Sequence, residues 1–233
     1  MNELKQLQGG LVVSCQPVEN GPMDRPDIIL AMAQAAIAGG AVGVRVEGAD
    51  NVAAVRAGLC FPIIGIVKRD LSDSPVRITP WVQDVVDLAK AGADVIAYDA
   101  TDRVRPISAA EILGTILSHN CLAMADCATF ADASAAATGG AQILGSTLSG
   151  YTAETETDSR GPDLKLVSDL RQLNRFVMAE GRYDTPQMAR MALEAGADCV
   201  TVGTVLTRLE VNTAKFHEAL RTRDDENGDT HSD

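Results

Sequence analysis

Ala91-Gly-Ala-Asp-Val-Ile-Ala-Tyr-Asp99 passes from an Ala-Gly helix ending, through a small residue, into an apolar run that closes on a carboxylate. The same pattern recurs as Ala38-Gly-Gly-Ala-Val-Gly-Val-Arg-Val-Glu47, Gly139-Gly-Ala-Gln-Ile-Leu-Gly-Ser146 and Ala195-Gly-Ala-Asp-Cys-Val-Thr-Val-Gly203. Gly40, Gly92, Gly140 and Gly196 are therefore spaced roughly 50 residues apart. Glycine suits the left-handed position that ends a helix, so each copy reads as a helix C-terminus feeding a short buried strand.

Four more apolar runs lie between the copies: Leu11 to Cys15, Ile63 to Val67, Cys121 to Ala125 and Phe176 to Ala179. Eight strands result. Helical periodicity fills the gaps at 27–38, 51–58, 81–91, 109–118, 131–138, 164–174, 186–194 and 211–220. Thr79-Pro80, Ser108 and Asp184-Thr185-Pro186 supply start signals, through a capping side chain or an early proline. Strict alternation implies a parallel sheet, and eight strands with eight helices favour a closed (β/α)8 TIM barrel over an open doubly wound sheet. The expected organisation is one catalytic barrel domain over 1–223 and a disordered acidic tail over 224–233, where five carboxylates sit among Gly, Asn, Thr and Ser without periodicity.

The formal charge of −12 over 233 residues argues against nucleic-acid or anionic-membrane partners. Met1 to Gly10 begins no apolar signal segment, and no apolar run reaches the roughly 18 residues that span a bilayer. A cytoplasmic protein is expected. Five cysteines agree, because Cys15, Cys121 and Cys199 fall in apolar runs and no pair has zinc-ligand spacing. No metal site is expected, and His119, His217 and His231 occupy a helix end, the last helix and the tail.

A barrel of this kind builds its active site at the C-terminal ends of its strands. Those positions hold Ser14 and Gln16, Arg45 and Glu47, Lys68 and Arg69, Asp99, Asp126, Ser146, Glu180 with Arg182, and Gly203 with Thr204. A single polar residue after a strand needs no function, because loops are solvated. Lys68, Asp126 and Glu180 are more informative, since three equivalent positions on three strands converge on one cavity. Lys68 ends the third strand and Glu180 the seventh, which face each other across a ring of eight. Opposed proton-transfer groups suit inversion at carbon. Burial and the cations Arg45 and Arg69 should depress the Lys68 pKa, with Asp126 or Glu180 opposing.

The segments after strands 7 and 8 form the usual phosphate site of the fold. Here they read Glu180-Gly-Arg-Tyr183 and Val202-Gly-Thr204, each with a glycine that lets backbone N–H groups approach an anion. Arg182 and Arg208 can add charge-assisted hydrogen bonds. Gly145 to Thr152 is a polar loop that reads equally as a lid or as an ordinary connection.

At these residues the sequence resembles the N-acetylmannosamine-6-phosphate 2-epimerase family. The matching blocks are Gly9 to Gln16, Ile63 to Asp70, Ile78 to Pro80, Asp99 to Asp102 with Arg105-Pro106, Ala125 to Cys127, Gly145 to Thr152, and Ala179 to Tyr183. The resemblance implies cofactor-free interconversion of N-acetylmannosamine 6-phosphate and N-acetylglucosamine 6-phosphate in sialic acid catabolism, by a homodimer or larger homo-oligomer. It implies proton transfer by Lys68 and Glu180, substrate positioning by Gln16, Arg45 and Asp126, and phosphate contacts from Gly181, Arg182, Gly203, Thr204 and Arg208. The chain departs from the family pattern at Thr204, where Ser is usual, and at Leu209 after Arg208. Two rivals share these residues: a Schiff-base aldolase using Lys68, and a sugar-phosphate sensor without catalysis.

Overall fold

The computed structural model describes residues 2–159 and 161–221. Its eight parallel strands close into a barrel in sequential order: β1 (Leu11–Cys15), β2 (Gly43–Glu47), β3 (Ile63–Ile66), β4 (Val95–Asp99), β5 (Leu122–Asp126), β6 (Ile143–Gly145), β7 (Phe176–Glu180) and β8 (Cys199–Val202). Val13 pairs with both Val44 and Val202, so β1 closes the ring between β2 and β8. The barrel helices are α2 (Pro26–Ala38), α3 (Ala49–Gly58), α4 (Val82–Ala91), α5 (Ala109–Ser118), α6 (Phe130–Gly139), α7 (Leu164–Leu170) and α8 (Pro186–Glu194). The expected eight-strand TIM barrel is the observed fold. The acidic stretch 224–233 lies outside the described residues.

Burial on both faces explains why the strands read as continuous apolar runs. One cluster fills the barrel with Val12, Ile64, Ile66, Val95, Met124, Ile143, Met178 and Cys199. The other, including Val13, Val44, Val46, Tyr98, Leu144 and Val177, packs the sheet against the helices. Gly40, Gly92, Gly140 and Gly196 all have φ between 95° and 106°, the left-handed geometry on which the repeat reading rests.

Two local expectations change, and one helix is added that was not expected from the sequence. Thr79 does not cap α4; Asp84 accepts the Trp81 N–H there, while the Thr79 hydroxyl donates to the Ala97 carbonyl and ties the end of β3 to β4. The 164–174 helix breaks after Leu170 into a 3-10 turn that ends at left-handed Asn174. Polar Asn2–Leu7 forms a helix, α1, because Leu7 is fully buried as the floor of the barrel interior. Two further helices follow β8: the short α9 (Thr204–Thr207) and α10 (Leu209–Arg221). Among the described residues no helix is long and apolar enough to cross a membrane.

Candidate active site

The strand C-termini open into a cavity of about 550 Å³, within the range for small-molecule sites. Gln16, Arg45, Lys68, Glu180, Gly181, Arg182, Gly203, Thr204 and Arg208 all line it. Asp126 sits one layer deeper, with no exposed surface.

Arg45 organises the floor. It leaves β2 inside the barrel, is 1% exposed, and binds Asp126 on β5 through Nη2 at 2.6 Å and Nη1 at 3.2 Å. The same Nη1 donates to Glu180 Oε2 at 2.8 Å. Burial opposes the guanidinium charge, but Asp126 and Glu180 outweigh it and hold Arg45 charged. One cation thus spans two carboxylates. Glu180 is pushed up to about 7, chiefly by burial and further by Asp126, against the pull of Arg45 and Lys68.

Lys68 follows β3, where its backbone N–H donates to Glu47 and its ammonium to Gln16 Oε1. Gln16 in turn donates to Ser14 Oγ at 2.7 Å, which fixes the amide and with it the lysine tip. Burial, then Arg45 and Arg208, push Lys68 down to about 8, with Arg77 adding to them and Glu47 opposing. The expected contribution of Arg69 is absent from that balance, because its side chain turns outward onto Asp84. Adjacent residues on an extended segment point opposite ways, so Lys68 inward sends Arg69 outward.

On the phosphate side, Gly181 at φ 110° and Arg182 at φ 60° turn the chain after β7. After β8, Gly203 packs so tightly that a Cβ would lie 3.1 Å from Ser14 Cβ. Thr204 then opens α9, the short extra helix common at phosphate sites of this fold. The Arg182 guanidinium is used differently from expectation: it donates to the carbonyls of Gly161 and Ser149 and stacks on Tyr151, 5.3 Å from the ring centroid. Gly150 is required there, since a Cβ would overlap Arg182 Nη1 at 2.2 Å. Arg208 keeps one bond to the Gln16 carbonyl while facing the cavity.

The 145–152 loop is well tied. Ser146 Oγ donates to the Glu180 carbonyl and accepts its N–H, and Ser149 Oγ donates to Asp163. Thr147 enters the carboxylate cluster, a role the sequence reading missed although the residue lies two positions beyond β6. Arg77, Arg103, Thr201 and Lys215 also reach the cavity unannounced. The Thr201 hydroxyl is buried without a protein partner in the structure.

A closed barrel that gathers a lysine, an arginine and two carboxylates at its strand C-termini defines a (β/α)8-barrel enzyme of acid–base type. Residues 29–222 match the family described as "Putative N-acetylmannosamine-6-phosphate epimerase". The chain belongs to the N-acetylmannosamine-6-phosphate 2-epimerase family. A relative from Actinobacillus pleuropneumoniae serotype 5b (strain L20), named "Putative N-acetylmannosamine-6-phosphate 2-epimerase", is 54% identical over 219 residues, 94% of this chain and 95% of that one. The protein of the same name from Haemophilus influenzae (strain ATCC 51907 / DSM 11121 / KW20 / Rd) is 52% identical with the same coverage. The solved N-acetylmannosamine-6-phosphate 2-epimerase from Clostridium perfringens superposes with a TM-score of 0.88 at 34% identity, over 93% of this chain and 95% of that chain.

Proposed function

We propose that this chain epimerises N-acetylmannosamine 6-phosphate to N-acetylglucosamine 6-phosphate, and the reverse, by proton transfer at C2 with Lys68 and Glu180 as the proton carriers. The observation that carries this is one cavity holding an amine brought down to about 8 and a carboxyl brought up to about 7. Groups with such values exchange protons at neutral pH without a cofactor. C2 of the open-chain sugar lies beside the C1 aldehyde, so its proton is the acidic one. One group takes that proton from one face, leaving an enolate, and the other returns a proton to the opposite face. Arg45 places positive charge at the floor for the developing oxyanion. Gln16 orients Lys68, and Asp126 acts through Arg45 rather than by touching the sugar. The Gly181-Arg182 turn, Gly203, Thr204 and Arg208 hold the phosphate, with the Arg182 side chain bracing the loop that shapes this end.

Turnover in heavy water tests the reading. Product followed by NMR should carry deuterium at C2, and product formed without it would rule out a deprotonated carbon. A Schiff base at Lys68, the aldolase route, would instead be trapped by borohydride.

The pH dependence follows from the same pair. Below about 7 both groups are protonated, and above about 8 both have lost their protons. Between these limits the pair carries one proton, the state from which either direction starts. We expect a bell-shaped kcat/KM profile peaking between the two values, with limbs that belong to the pair. A rate still rising past pH 10 would contradict it.

We extend the reading to a cytoplasmic homodimer, or a larger homo-oligomer, acting in sialic acid catabolism. Free cysteines suit a reducing compartment. No described residue of α10 is buried, and Phe216 and Leu220 are 76% and 77% exposed, apolar surface that self-association would cover. Light scattering should give at least twice the 24.5 kDa chain mass, and a monomer would end this part of the proposal.

A further inference from the structure

Asp126 and Glu180 compete for one cation. Two carboxylates so close do not both ionise freely, and small differences in their donors decide which is neutral. Arg45 serves both. Among the other groups that face them, Lys68 stands on the Glu180 side, and Asp99 on β4 is turned away by its pairing with Arg103 and Arg105. The asymmetry comes from Thr147, whose Oγ1 lies 2.7 Å from Asp126 Oδ1 and 3.4 Å from Glu180 Oε2. A hydroxyl has a single proton, and the shorter contact takes it.

We propose that Thr147 is a positioning residue that makes Glu180 the proton-exchanging carboxyl, by spending its own hydroxyl proton on Asp126 and so holding Asp126 against Arg45. Asp126 then receives Thr147 and both Nη atoms of Arg45, while Glu180 keeps a single close donor and becomes the group that accepts and releases protons. The local chain is shaped for this contact. A Cβ at Gly145 would lie 2.8 Å from Met124 Cε, 2.9 Å from Thr147 Oγ1 and 3.2 Å from Asp126 Oδ1, so the missing side chain leaves room for the hydroxyl beside the carboxylate. Ser146 holds Glu180 at both its N–H and its carbonyl, which fixes the second carboxylate relative to the same loop.

This inference rests on the proton-transfer role given to Glu180 above, but its test does not require turnover. In the free enzyme with 13C-labelled glutamate carboxyl groups, NMR should find Glu180 taking up a proton through the neutral range. In Thr147→Val, which keeps the shape and removes the hydroxyl, Arg45 is held less firmly to Asp126 and turns more fully to Glu180, which should stay charged to lower pH because that gain outweighs the lost 3.4 Å contact from Thr147. With substrate, kcat should fall by at least about tenfold, less than the roughly 10²- to 10⁴-fold lost with an acid–base group itself because Glu180 is still present, while KM stays within about twofold. Thr147→Ser should restore both the titration and kcat. Gly145→Ala, whose methyl would crowd Met124 Cε and the Thr147 hydroxyl beside Asp126, should move the titration in the same direction and guards against a Thr147→Val chain that fails to fold. Unchanged titrations in both variants would overturn the proposal, as would a raised KM with full kcat, the mark of a direct sugar contact. If the wild-type titration is as described and the enzyme does not epimerise, the functional reading fails instead.

Discussion

Lys68→Ala and Glu180→Gln should each lose about 10²- to 10⁴-fold in kcat, the usual contribution of a general acid or base. Both losses should appear in both directions of assay, because epimerisation needs a proton removed on one face and returned on the other. Phosphate affinity should be largely kept, since neither side chain belongs to the turns after β7 and β8, so KM should change far less than kcat. The variants also separate the two steps. A chain that keeps one working group can still exchange the C2 proton of the substrate it recognises, washing in deuterium without inverting the centre. The measurements are steady-state kinetics with product NMR in heavy water. Either variant, correctly folded, keeping more than about a tenth of wild-type kcat would remove that residue from the proton path.

Arg45→Met should cost about 3–5 kcal/mol of folding stability, as does removal of one partner from a buried ion pair. Asp126 and the Glu180 carboxylate would then lie together in the barrel without their shared cation. The sign of the pH dependence follows. Burial already raises the folded pKa of Glu180 above its unfolded value of about 4, and loss of Arg45, which pulls it down, raises it further. The penalty is full above the folded pKa, where charge is buried, and fades as pH falls towards the unfolded value, where both states are protonated. Urea midpoints should therefore show a large deficit at pH 8 and a clearly smaller one at pH 5. Equal deficits would mean that the loss comes from packing rather than from buried charge. Activity should be lost throughout, because the same guanidinium faces the developing oxyanion.

Much of this architecture was legible because it is local. A glycine at each helix end, a small residue and an apolar run are conditions that neighbouring residues satisfy among themselves, and they located all eight strands to within a residue or two. The closed ring then put the strand C-termini together, so position alone placed Lys68, Glu180, Arg45 and Gln16 around one cavity. Departures came where a residue answers to distant parts of the chain. Thr79 carries a helix-start signal, yet its hydroxyl goes to β4. Asn2–Leu7 is polar and is not read as a helix, yet it forms one because Leu7 closes the barrel floor.

By itself the sequence determined the alternation of elements, the parallel sheet and the set of polar residues at its active end, since each depends on patterns of a few residues. The tertiary structure decided how those residues divide the work. Arg182 reads as an anion ligand, but its guanidinium is drawn to the Gly161 and Ser149 carbonyls and the Tyr151 ring. Asp126 reads as a substrate contact, but it lies behind Arg45, and Thr147 enters the cluster from a loop that reads equally as a lid or as an ordinary connection. Hydrogen bonds and ion pairs act over about 3 Å between groups that the chain separates by tens of residues. Only folding sets those distances, so partners and protonation states belong to the tertiary structure even where the residues themselves are plain in the sequence.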